Sequence, residues 1–284
     1  MSTPIAPTTR MGAVHLTVAN LERSLDYYRT SIGLTVLEQG AGRATLGVGS
    51  TRLLELVEVP GAQPAPGRTG LFHFALLLPD RRSLALWVAH AVRERVRLAG
   101  ASDHFVSEAI YLSDPDRHGI EIYADRPREL WEGKVAEGMG TDPLDLDGLL
   151  GELDDPLAEP FERQPDGTTM GHVHLQVAHI PSAVEFYRDV VGFGLMAEYG
   201  SQAAFLSAGG YHHHVGANTW RSGGAGPPAP GAAALRRFEI VLPDAAERDR
   251  LAERIAATGQ VLEDDPAGPL ARDPSENAFV LLTA

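Results

Sequence analysis

Cysteine is absent from the 284 residues. Its absence excludes disulfides, thiolate nucleophiles and sulfur-built zinc sites, and leaves imidazole and carboxylate as the available metal ligands. No window approaches the roughly eighteen uninterrupted apolar residues of a membrane span, and the opening stretch MSTPIAPTTRMG lacks the apolar run of a signal peptide. The expectation is a cytoplasmic protein with no membrane partner. Excess positive charge is missing too, since the net charge is −14. That sign opposes non-specific binding to nucleic acid and makes a small molecule the expected partner. What remains is 44% apolar and 22% charged residues, a composition able to bury a substantial core at a length that suits two domains.

Taken in order, residues 12 to 33 alternate through Val14, Leu16 and Val18, then switch to helical spacing through Leu21, Leu25 and Tyr28 before stopping at Gly33. Three strand-length runs follow, LTVLEQ, ATLGVG and TRLLELVEV, giving the order β-α-β-β-β. After the connector PGAQPAPGRTG a second unit opens with GLFHFALLLPD, continues through a helix at 81–96, and ends in strands around Tyr111 and Glu121. Residues 125 to 168, rich in Pro, Asp and Glu, interrupt the pattern, with one short helix predicted at 143–153. The pattern then restarts, because GHVHLQVAHIPSAVEFYRDVVGF at 171 repeats GAVHLTVANLERSLDYYRTSIGL at 12 without a gap, and FEIVLPD later repeats FALLLPD. The chain therefore reads as an α+β protein of four βαβββ modules, at 10–58, 70–124, 169–217 and 234–284. Grouped by sequence, they make one domain at 10–126, a connector at 127–168 and a second domain at 169–284. A small sheet with one helix leaves a face open, so modules should pair across a cavity.

At the first strand of the modules, the position that faces this cavity is Ala13, His73, His172 and Arg237 in turn. In the strand Gly119 to Ala124, alternation puts Glu121 and Tyr123 opposite Ile120 and Ile122, so the carboxylate points away from the apolar side. Its counterparts are Glu55, either His214 or Val215, and Val280. A divalent metal with open positions needs three ligands on one side, commonly two imidazoles and a carboxylate. Pairing sequence neighbours gives Glu55, His73 and Glu121 in one cavity and only His172 with the 212–214 histidines in the other. Cross-pairing modules 2+3 and 1+4 gathers His73, His172 and Glu121 with His212, His213 and His214, and leaves Ala13, Arg237, Glu55 and Val280 together. It is preferred because it completes one ligand set. Arg237 is then free to pair with Glu55, His15 and His174 are wall residues, and Trp220 is a wall candidate.

The four-module order, the openings GHVHLQV and GLFHFALL, and the stretch AIYLSDPDRHGIEIY resemble the vicinal oxygen chelate superfamily, specifically the catechol 2,3-dioxygenase-like type I extradiol dioxygenases. The likeness covers nearly all the chain outside the connector. It implies Fe(II), or occasionally Mn(II), held by His73, His172 and Glu121, with a small aromatic diol and O2 as substrates. By the same resemblance Tyr111 matches the active-site tyrosine, His104 a substrate-contacting histidine, and His214 the acid/base histidine, with the run Tyr-His-His-His leaving that register open by one. The departure is that Arg237 and Val280 stand where such enzymes usually place ligands, although related hydroquinone dioxygenases draw ligands from both ends of the chain. Two alternatives share the fold: a glyoxalase-like isomerase or lyase with Ni or Zn, using Glu55, and a non-catalytic antibiotic-binding protein. The helix and loop surface leaves room for a homodimer.

Overall fold

The computed structural model describes residues 3–156 and 158–284. Two eight-stranded sheets carry the four modules, and each sheet takes one module from either side of the connector. In the first sheet the inner strands are Arg10–Val18 of module one and Leu235–Leu242 of module four; in the second they are Gly70–Leu78 of module two and Thr169–Gln176 of module three. Each inner pair is antiparallel. Modules 2+3 and 1+4 are thus partners, as the distribution of ligands requires.

Within a module, the first strand pairs in parallel with the last, which is possible because the intervening helix provides the crossover. Gly70–Leu78 pairs in this way with Gly119–Asp125, and Thr169–Gln176 with Val215–Asn218. The helices of modules one, two and four begin on side-chain caps. Asn20, Asp80 and Asp244 each accept from the backbone N–H three residues on, satisfying a donor that has no partner inside the helix. The helices of modules one and three widen into π turns and stop at Gly33 (φ 88°) and Gly192 (φ 93°), a left-handed turn that glycine adopts without strain. The helix predicted at 81–96 spans Arg81–Arg93.

One continuous apolar core draws on all four modules, including Leu16, Leu54, Phe74, Ile122, Val173 and Phe238. Two Asp-Pro turns join the sheets across it. Asp114 accepts from the hydroxyl of Tyr28 (2.9 Å), and Asp273 accepts from that of Tyr187 (3.2 Å). Among the described residues, no helix is long and apolar enough to cross a membrane.

Residues Leu98–Asp103 form the first of the three strands that the βαβββ order gives module two after its helix, beside Ser107–Ser113, although the irregular sequence LAGASD does not mark its bounds. The connector holds helices at Arg128–Trp131, Val135–Gly138 and Leu146–Leu150, the last shorter than the expected 143–153. Backbone hydrogen bonds of 2.9 Å in both directions between Asp103 and Asp142 pin the connector to module two, which lays residues 139–141 along the mouth of a cavity.

Candidate metal centre

The registers of the second sheet align a row of side chains across four strands. His172 lies opposite Ala75, Ala75 opposite Glu121, and Glu121 opposite Tyr111. His73, two residues before Ala75, is on the same face because strand side chains alternate. Ala75 leaves space over the middle of the row, and the flanking groups converge there. His73 Nε2 is 2.9 Å from Glu121 Oε2, His172 Nε2 is 3.1 Å from the same oxygen, and the two Nε2 atoms are 3.4 Å apart. Among the described residues, these three form the group whose donor atoms could share an ion.

The set fits a divalent metal on three counts. Ligands about 2.1 Å from an ion and at right angles to one another are about 3 Å apart, close to the separations observed. The donor set is two imidazoles and a carboxylate, the combination that leaves one side of a divalent ion open. The protonation states also suit a metal. Burial pushes His172 down to about 4, so its imidazole is neutral, and although burial alone would raise Glu121, the hydrogen bonds it accepts from the histidines beside it hold it well below the carboxylate range. Glu121 is 2% exposed, and among the described residues no arginine or lysine is paired with it and the buried His172 Nδ1 has no partner.

A cavity of about 570 Å³ opens over this row, large enough for a substituted aromatic ring. Phe72, His174 and Trp220 form one wall, with ring centroids 5.2 to 5.6 Å apart. Met139, Gly140 and Thr141 of the connector reach its rim. Tyr111 lines it, and burial, followed by the nearby Glu121, raises its phenol well above the usual value. His104 lines the cavity beside Tyr111, with Nε2 2.6 Å from the Tyr111 oxygen and Nδ1 2.6 Å from the carbonyl of Gly140. The carbonyl can only accept, so in a neutral His104 the Nδ1 carries the hydrogen and Nε2 accepts from Tyr111.

The histidine run resolves by one position. His213 lines the cavity, its ring centroid 4.0 Å from that of His172. His214, the residue expected there, is turned the other way: its Nδ1 accepts from the N–H of Ala208 (3.1 Å) and its ring stacks on Phe193. The reason lies in the loop after Gly209 and Gly210, both at positive φ, which enters the strand Val215–Asn218 one residue later than strand periodicity alone suggests. Pairing places Gly216 opposite His174 as Glu55 is opposite His15, so the module-three counterpart of Glu121 is Gly216 rather than His214 or Val215.

The other sheet assembles no ligand set. Ala13 and Val280 occupy ligand places, and Arg237 pairs with Asp265 instead of Glu55. His15 bridges two carboxylates, with Nδ1 2.9 Å from Glu55 and Nε2 2.9 Å from Glu239. Its two nitrogens point apart, so they cannot converge with both carboxylates on one ion. Because Glu55 is in this sheet, the glyoxalase-type set of Glu55, His73 and Glu121 does not form.

A model of the Glyoxalase/Bleomycin resistance protein/Dioxygenase superfamily matches residues 10–122 and 169–281. A protein from Bacillus subtilis (strain 168) named catechol-2,3-dioxygenase is 42% identical over 285 residues, covering 98% of each chain. Among solved structures, one from Bacillus subtilis subsp. subtilis str. 168 aligns with a TM-score of 0.66 at 14% identity, covering 99% of this chain and 86% of that one. Glyoxalase I from Zea mays aligns with a TM-score of 0.60 at 16% identity, covering 97% and 92%. At such identities the two structures speak for the fold alone.

Proposed function

Because the chain belongs to the Glyoxalase/Bleomycin resistance protein/Dioxygenase superfamily, we propose that it is an extradiol dioxygenase that opens the ring of a catechol-type diol. The observation that carries this reading is the convergence of His73, His172 and Glu121 on one point at the floor of an aromatic-walled cavity. The relative named for that activity matches over nearly the whole length, which supports the same assignment.

His73, His172 and Glu121 would hold Fe(II), with Mn(II) as the alternative. When bound, such an ion supplies the Lewis-acid and redox chemistry that joins a vicinal diol to O2. The remaining work belongs to side chains of the cavity. Phe72 and Trp220 offer an apolar wall for the ring to pack on, and the Met139–Thr141 segment lines the cavity from the connector. Tyr111 lines the cavity beside Glu121 with its hydroxyl given to His104 Nε2, and turning that hydrogen from His104 to the substrate is how it would steady negative charge developing on substrate oxygen. His213 is placed to take a hydroxyl proton from the diol and return it later, the role the resemblance assigned to His214. The reaction balances without an external reductant. The ring bond between a hydroxyl-bearing carbon and its unsubstituted neighbour breaks, one atom of O2 completes a carboxylic acid, and the other becomes an aldehyde.

The test is anaerobic loading with Fe(II), followed by catechol and air. Oxygen uptake in step with yellow semialdehyde absorbance is expected. Tight binding of catechols by a chain that retains no metal would show a ligand-sequestering protein instead.

A further inference from the structure

We propose that Asp125 and His212 are positioning residues that fix the tautomer of His213, so that its Nε2 presents a lone pair to the cavity. The inference rests on the dioxygenase reading only for what that lone pair would do. The arrangement itself is a hydrogen-bonded chain with a defined direction.

Asp125 ends the strand that carries Glu121, and its carboxylate can only accept. Its Oδ1 is 2.9 Å from His212 Nε2, and it also accepts from the hydroxyl of Tyr211 at 3.2 Å. The Tyr123 and Tyr211 oxygens are in turn 2.8 Å apart. His212 is fully buried. Its Nδ1 faces His213 Nδ1 at 2.8 Å, and two ring nitrogens at that separation share one hydrogen. Which ring donates is decided at the far end. Since His212 Nε2 must donate to Asp125, the neutral ring has a lone pair at Nδ1, so His213 Nδ1 carries the hydrogen. Neutral His213 then has its lone pair on Nε2, which makes no hydrogen bond among the described residues, on a ring that lines the cavity. Without the carboxylate the chain can reverse, and His213 would offer the cavity an N–H. A donor there cannot accept a diol proton.

The tautomer can be read in the full-length, metal-free protein from the nitrogen resonances of the imidazoles, with His213 assigned by its loss in His213→Asn. The wild type is expected to be protonated at Nδ1 and bare at Nε2. In Asp125→Ala and His212→Phe, part of the population should move its proton to Nε2. In the iron-loaded enzyme, the same substitutions should lower kcat at least about tenfold, with KM within about twofold. A wild-type His213 protonated at Nε2, or a tautomer unmoved by both substitutions, overturns the proposal. The two readings fail separately. A chain with the expected tautomers that consumes no O2 with any catechol keeps the relay and loses the dioxygenase assignment, whereas O2 consumption with the reversed tautomer does the opposite.

Discussion

Ala75 and Glu239 occupy the same position in modules two and four, each directly after a buried phenylalanine and each paired with the equivalent residue of its module's last strand, Glu121 in one case and Val280 in the other. The exchange of a methyl group for a carboxylate separates the two sheets chemically. Where Ala75 stands, His73 from its own strand and His172 and Glu121 from the two neighbouring strands can converge over it. Glu239 fills that space itself, accepting from the N–H of Ala13 (2.8 Å) and from His15.

The small side chain at 75 is therefore a requirement of the candidate centre. Ala75→Leu would put a branched group between His172 and Glu121, in a site where all three residues are buried. Overpacking of this kind costs about 1–3 kcal/mol. Affinity for Fe(II) or Co(II) should fall at least about tenfold, measured by titration of the purified protein. Unchanged affinity would mean that the row is not where the metal sits.

Module pairing makes a second contrast. His172→Ala removes a donor that is 3.1 Å from Glu121, and should weaken metal binding at least about a hundredfold, since even changes beyond the ligands cost 10- to 100-fold. Glu55→Ala alters only the His15 cluster of the other sheet, and metal content should stay at the wild-type level. Metal analysis after gel filtration distinguishes the two.

The modules and the three metal-site candidates are legible in the sequence because strand alternation and internal repetition report which residues share a face. Loops and partnerships between strands are less legible. The resemblance points to His214 with the register open by one, and the turn after Gly210 has no period from which to close it. Glu239, a single acid in the strand FEIVL, resembles an exposed position, and only the neighbouring strand shows that His15 and the Ala13 N–H receive it. Arg237 finds Asp265 on the far side of module four, a contact that no spacing rule encodes. Asp125 lies four residues beyond Glu121, and its partners Tyr211 and His212 are more than eighty residues away.

His15 makes stability depend on pH. Burial lowers its pKa, but the hydrogen bonds to Glu239 and Glu55 and the charge of Glu55 outweigh this and raise it above the ordinary 6.5. Arg52 contacts both carboxylates, and Arg237 opposes the imidazolium. A raised folded value means that the contribution is complete below 6.5 and is lost as pH rises through the folded value. The two glutamates are lowered from 4.5, so theirs is complete above that value and lost in acid. His15→Gln should thus cost stability in weakly acidic solution, by about 2 kcal/mol given that Glu55 is 30% exposed, and progressively less in alkaline solution. Urea denaturation of both proteins across pH 5.5 to about 9 should show the gap closing. A constant gap would show that His15 is not charged in the folded state.

Adjacent histidines offer the most direct check on the cavity. His213 borders it beside His172, whereas His214 accepts from Ala208 N–H and stacks on Phe193 away from it. Replacing His213 with Ala should lower kcat by about 10²- to 10⁴-fold, the range expected when a positioned acid or base is lost, while iron content is maintained. Replacing His214 with Ala removes one buried hydrogen bond and a ring contact, so a loss of about 1–2 kcal/mol in stability is expected with kcat close to the wild-type value. Steady-state kinetics and denaturation of the two variants side by side settle the assignment. If the large kinetic loss follows His214 instead, the loop after Gly210 adopts a different register in the working enzyme, and the chain from Asp125 ends on the wrong ring.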